Sequence, residues 1–266
     1  MRTSMWPWAV ALPGLAAVAV LTPPVLDYTD GVLEVVRAVV LLVAGAWVGA
    51  RPGVRPIGII FLSCGLLGVA GLAAAWPALD IRVRGESASL ESWLRHWIWV
   101  PQILAPLLLA TLRYPDGRLR RRAAWWTSVL AIAGASAVVG TENWPRGPGG
   151  ADGNPLILPL AVAEPLSLVT FLAYLAAVLL VLGSLFGRWS AAGRADRWLV
   201  ILPLAVLLLG GAWAVLLNWA SLGGIGPWGI PSVAYVIVLA VGVRAPAGDT
   251  IPEPRAVPAE RNPRIH

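Results

Sequence analysis

Apolar residues occur along this chain in long blocks rather than at alternate positions, and the polar residues gather in the gaps between the blocks. A helix needs about 20 residues to cross a hydrocarbon core. Eight blocks approach that length: Trp6 to Leu21, Val32 to Ala50, Pro56 to Trp76, Trp93 to Leu112, Ala123 to Val139, Leu166 to Phe186, Trp198 to Leu217 and Trp228 to Val243, the first and last being short. The pattern predicts an all-α polytopic integral membrane protein of about eight transmembrane helices, with residues 1–244 as one transmembrane domain. The first block shares features with a signal peptide, Arg2 before an apolar stretch and small residues near Ala19, but Pro7, Pro13 and the weak basic start favour an uncleaved helix. After Arg244 proline recurs and apolar content falls, which predicts a disordered tail over 245–266.

Charge then gives the blocks an orientation. All 20 basic residues are arginine. When the gaps are assigned alternately to two sides, one side holds Arg2, Arg51, Arg55, Arg113, Arg118, Arg120, Arg121, Arg122, Arg188, Arg194, Arg197, Arg244, Arg255, Arg261 and Arg264. The other holds Arg82, Arg84 and Arg146, a split of 15 to 3, while Arg37 and Arg95 fall within apolar blocks. Arginine accumulates on the cytoplasmic side of membrane proteins, so both termini are expected in the cytoplasm. The segments Thr22 to Gly31, Pro77 to Glu91, Gly140 to Pro165 and Ala220 to Pro227 are then external. The longest is rich in Gly and Pro and reads as an irregular connection, with a lid over an outer pocket as the alternative.

Composition agrees: 58% hydrophobic and 13% charged residues, with mean hydropathy +0.75, depart from the roughly one-quarter charged balance of soluble domains. The net charge of +6 belongs to loops facing anionic lipid headgroups, so the bilayer is the expected partner and nucleic acid is not. A single cysteine, Cys64, permits no intramolecular disulfide. Many of the 15 tryptophans stand at block ends (Trp6, Trp8, Trp76, Trp93, Trp125, Trp126, Trp198, Trp219, Trp228), where an indole buries its ring and keeps its N–H wet. Gly45 and Gly49, Gly183 and Gly187, and the stripe Gly65, Gly68 and Gly71 predict close helix contacts.

Candidate chemistry is sparse. An ionisable group within the bilayer costs several kcal/mol unless it is paired or wet. Glu34 and Arg37 share a helix face, and Arg95, His96, Gln102 and Asn218 fall at the same outer level, so the six are candidates for one outward-facing site for a small ligand or cation. The alternative is an internal ion pair that fixes helix register, with Arg95 snorkelling to the interface. Two histidines and one isolated cysteine offer no metal-ligand spacing, so neither a metal nor a cofactor is expected. No phosphate loop, GxSxG, HExxH or paired-cysteine motif is present, and Ser63, Ser128 and Ser184 have no ionisable neighbour in sequence, so no catalytic residues are expected.

Two of the cytoplasmic segments carry a pattern. Arg51-Pro-Gly-Val-Arg-Pro-Ile-Gly58 resembles the "RRPxNPIGW" motif, and Leu112-Arg-Tyr-Pro-Asp-Gly-Arg-Leu119 is similar to the "LLFPDGRLP" loop, of the multi-pass membrane sensor regions of actinobacterial two-component histidine kinases. Asn154-Pro155-Leu156 and the stretch from Arg188 to Trp198 fit the same layout, and the resemblance runs from about Arg51 to Val243. Physically, Pro115-Asp116-Gly117 is a turn signal, with Pro presetting φ and Gly accepting a positive φ. With Arg118, Arg120, Arg121 and Arg122 it forms a candidate cytoplasmic coupling loop. The chain departs from the family at Arg113 and Tyr114, which replace an apolar pair, and after Arg244, where no kinase domain is expected.

What the resemblance implies is a non-catalytic sensor-like module of the bacterial inner (plasma) membrane, for signal perception or relay through a separate partner. The expected partner is a histidine kinase or another membrane protein, with a second copy of the chain as a further candidate. A small transporter or permease component and a structural membrane subunit are the alternatives. The scarcity of polar residues in the inner halves of the blocks disfavours a transport path.

Overall fold

The computed structural model describes residues 4–23, 31–84, 93–94, 97–141, 154, 156–193, 196–219 and 226–243. These form helical rods, without a strand among the described residues. In chain order they are α1 (Trp6–Leu21), α2 (Gly31–Gly49), α3 (Arg55–Arg84), a composite α4 (Trp99–Arg113), α5 (Arg122–Thr141), α6 (Leu160–Ala191), α7 (Arg197–Trp219) and α8 (Gly226–Gly242). Among the described residues four stretches are long and apolar enough to cross a membrane: α2, the Pro52–Ala75 span containing most of α3, α5 and α6; the other apolar stretches described there are shorter. The all-α architecture is compatible with a membrane protein.

Helix boundaries follow the hydrophobic blocks to within two residues for α1, α2, α5, α7 and α8. Two helices overrun them. α3 continues through Pro77 to Arg84, and α6 begins at Leu160, contains Pro165 and runs past Phe186 to Ala191. A proline removes one N–H without ending a helix whose other backbone bonds are made, so it was a poor boundary marker here. α3 thus extends into the segment that begins at Pro77, and α6 into the one that ends at Pro165, two segments the sequence marks as connections. At the far end of α6, Arg188 lies inside the helix and is buried, because its guanidinium has backbone acceptors on α4.

α4 owes its composite form to proline. An α-helical Trp99–Ala105 passes into a π-helical turn, Pro106–Ala110, and a last α-helical stretch, Thr111–Arg113. Pro106 has no N–H for the carbonyl one turn back, and the ring widens the helix locally. The Thr111 hydroxyl reaches back five residues to the Pro106 carbonyl, 3.4 Å.

α2 is the centre of the molecule. Its residues Ala38, Leu42 and Ala46 join a core with α1 and α3, while Leu41, Ala44 and Val48 on its other side join a larger core with α3 to α8. Glycines set the α2–α3 spacing. A Cβ on Gly58 would collide with the backbone N and Cα of Gly49, and one on Gly45 would stand 2.6 Å from the Leu62 nitrogen. Gly65 and Gly68 likewise receive Leu42 and Ala38. The predicted step Gly45 and Gly49 and the stripe Gly65, Gly68 and Gly71 are therefore contact surfaces. Gly183 and Gly187 are not: nothing described lies within 4 Å of a Cβ at either, because α6 turns that face away from the bundle.

Candidate functional site

Of the six residues predicted to share an outer polar site, three are brought together. Arg37 and Gln102 are buried, and the Arg37 Nε donates to the Gln102 Oε1 at 3.0 Å. Glu34, one turn before Arg37 on α2, borders the same pocket, as do Gly68, Gly71 and Leu72 of α3. Gly68 and Gly71 leave room for the amide: a Cβ on them would lie 3.7 Å from the Gln102 Oε1 and 3.9 Å from its Nε2. The remaining space is about 10 Å³, around the minimum for a single water. Among the described residues this is a polar contact between α2 and α4 with little free space. Arg95 and His96 lie outside the described residues. Asn218 is placed in α7 by its backbone, and its side chain is outside the description.

The predicted coupling loop is a built structure. Gly117 has φ +75°, its N–H donates to the Arg113 carbonyl at 2.7 Å, and the Arg113 Nη1 returns a bond to the Gly117 carbonyl at 3.2 Å. The Asp116 Oδ1 accepts the Arg118 N–H at 3.2 Å, an Asx turn, and its Oδ2 stands 3.6 Å from Arg120. The Tyr114–Pro115 peptide bond is cis. Gly117 rests against Gly53 and Val54, in the short 3₁₀ turn Pro52–Val54 before α3, with no space for a Cβ. Tyr114 is fully buried, and its hydroxyl lies against Gly242 at the end of α8. Arg118, Arg120, Arg121 and Arg122 are exposed beside this turn.

Other arginines at this end are not free surface charges. The Arg51 guanidinium sits 4.0 Å from the Trp47 ring centre and donates to the Val243 carbonyl at 3.4 Å. Arg113 lies over the Trp125 ring at 4.7 Å. Arg188, 5% exposed, donates to the Thr111 and Leu112 carbonyls at 3.3 and 2.5 Å. The last carbonyls of a helix have no intrahelical partner and carry the negative end of its dipole, so a cation is well placed there. Arg51 serves the end of α8 in this way and Arg188 the end of α4. The loop charge gives these arginines a side and not what they bond; a cation within three residues of the end of an apolar helix is the available signal.

The opposite end also has a polar tie. The Gly140 carbonyl, near the end of α5, accepts from the Trp93 Nε1 at 2.6 Å and from the Asn154 Nδ2 at 2.9 Å, and the Asn154 Oδ1 accepts the Leu156 N–H at 2.8 Å. Trp93, predicted as a headgroup anchor, is half-buried here, holds the Gly140 carbonyl and packs against Trp97, with ring centres 5.5 Å apart. Residues 142–153 of this predicted loop, and with them the lid alternative, lie outside the description.

Sequence reasoning did not foresee a cavity of about 530 Å³ bounded by α4, α5, α6, α7 and α8. Leu104, Leu107, Val138 and Val206 are among its apolar walls; Ser167, Thr170, Tyr174, Ser232 and Tyr235 supply hydroxyls, and among the described residues no charged one lines it. The Tyr235 hydroxyl is 2.6 Å from the Thr111 hydroxyl. Cys64 is buried on α3 with its Sγ 3.7 Å from the Pro101 carbonyl. Among the described residues no three His, Cys, Asp or Glu side chains are grouped as metal ligands. Comparison of the chain with protein families, curated proteins and solved structures finds no match.

Proposed function

We propose that the chain is a non-catalytic sensor-like module of a bacterial inner membrane, crossing it about eight times with both termini in the cytoplasm, and that it relays a stimulus to a separate protein. The observation that carries this reading is the turn at 114–117, wedged between the α2–α3 connection and the end of α8 with Arg118, Arg120, Arg121 and Arg122 exposed beside it. Such an arrangement makes one exposed surface sensitive to the position of four helices: α2 and α3 through Gly53, α4 through Arg113, and α8 through Gly242. The resemblance of Arg51 to Gly58 and of Leu112 to Leu119 to sensor-kinase membrane regions supports the same reading, since these two stretches are the ones in contact. A histidine kinase acting in trans is the partner this reading expects.

The test is crosslinking in the native host, purification of the tagged protein in mild detergent and mass spectrometry of what accompanies it. Recovery of a histidine kinase or response regulator, lost when Arg120, Arg121 and Arg122 are changed to Gln, is the expected result. Recovery of transporter subunits, or of no reproducible partner, would overturn it.

A further inference from the structure

The cavity has the size and lining of a ligand site. Its volume of about 530 Å³ lies within the roughly 300–1,000 Å³ of small-molecule pockets. Among the described residues the walls are apolar with a few hydroxyls, and none of them is charged. A carboxylate or phosphate placed there would be desolvated without a counterion, which costs several kcal/mol. The occupant is therefore neutral.

Two hydroxyl-bearing residues on successive turns of α6, Thr170 and Tyr174, line the cavity. Thr170 is 9% exposed, and Tyr174 stands four residues on. Neither makes a hydrogen bond to another described group, and a hydroxyl left so in an apolar site favours a ligand that both donates and accepts. Access is lateral. α6 packs along α5, and α7 along α8, while α6 and α7 touch only sparsely. A molecule dissolved in the bilayer enters through that seam.

We propose that this cavity binds a neutral single-chain amphiphile, a long apolar tail carrying one hydroxyl, with the hydroxyl at Tyr174 and Thr170 and the tail between α4, α5 and α7. The cavity also touches the relay proposed above, and only this last step rests on that reading. Tyr235 borders the cavity and bonds Thr111, whose carbonyl Arg188 holds, three residues before the turn that begins at Tyr114. Occupancy at Tyr235 thus bears on the segment that sets the turn.

The experiment uses the full chain in lipid nanodiscs and a long-chain alcohol bearing a mid-chain diazirine, with crosslinked residues mapped by mass spectrometry. Labelling of Leu104, Leu107 and Val138, competed by the unlabelled alcohol and not by the fatty acid of equal length or by added phospholipid, is the expected result. Val138→Trp, which fills the cavity, should abolish that labelling. Tyr174→Phe, which preserves the ring, should weaken the alcohol's competition about three- to tenfold, the worth of one hydrogen bond. Labelling confined to outward residues such as Leu168, Leu172 and Leu179 overturns the proposal, as does equal competition by the fatty acid or phospholipid. Should Val138→Trp not fold, the Tyr174→Phe arm decides alone. Because this binding needs no partner, it stands or falls separately from the crosslinking result in the host.

Discussion

The three N-terminal helices and the five that follow are assembled on different terms. α1, α2 and α3 meet through glycine and alanine, so closely that a single Cβ at Gly58 has no place. From α4 to α8 the contacts are made by proline-bearing helices, aromatic rings and scattered polar bonds, and a cavity of about 530 Å³ remains between them. The α3 span is 56% buried and α6 only 11%. In lipid no hydrophobic effect draws helices together, so association rests on dispersion at close range or on hydrogen bonds that hydrocarbon cannot replace. The first set uses the former, and the second adds the latter to its own apolar core. A set held by contact along whole helices is unforgiving of added volume, whereas one held at a few polar points leaves room between them and yields when a single bond is removed.

Substitutions can break that contrast. The largest effect is expected from Gly58→Leu, whose side chain has only the α2 backbone to displace; a loss above about 3 kcal/mol, the upper range for overpacking, should appear as failure to recover monodisperse protein by size-exclusion chromatography. A well-folded Gly58→Leu protein would mean that α2 and α3 are not packed as described. Next comes Arg188→Met, which leaves the Thr111 and Leu112 carbonyls without their donor. About 2–3 kcal/mol should be lost, read as a lower thermal midpoint in detergent, with Arg188→Lys recovering part of it.

Gln102→Leu removes the acceptor of the Arg37 Nε, and about 2 kcal/mol is expected from the guanidinium left with one bond fewer. A double-mutant cycle with Arg37→Leu should show non-additivity; additive losses would mean the two side chains do not act together. Tyr235→Phe should cost about 1 kcal/mol through the lost bond to Thr111, a sharper probe of α4 against α8 because ring volume is kept. The smallest change belongs to Arg120→Ala, whose ion pair with Asp116 is solvent-exposed. Stability should move by less than about 0.5 kcal/mol, so any loss of partner recovery in that variant reports contact and not folding.

Much of the architecture was legible in the chain because it depends on local sums. Blocks of apolar residues name the helices, Gly45, Gly49, Gly65 and Gly68 announce the α2–α3 approach, and Gly71 faces Ile98 and Gln102. Gly183 and Gly187 carry the same spacing and touch nothing described, since a small face is an opportunity that a partner must take up. Glu34, Arg37 and Gln102 were predicted at one level and do converge; that they close on one another, leaving about 10 Å³, depends on how near α2 comes to α4. The turn at Pro115 to Gly117 was readable from its residue types, but its seat against Gly53 and Gly242 was not.

Sequence by itself determined the helical class, most helix limits and the clustering of arginine, because each follows from the hydrophobicity or conformational preference of neighbouring residues. Tertiary structure alone decided which arginines cap helices and which face outward, since Arg51 and Arg188 differ from Arg121 only in the carbonyls that other helices bring within reach. It alone decided the cavity as well, because an empty volume belongs to five helices at once and is written in none of them.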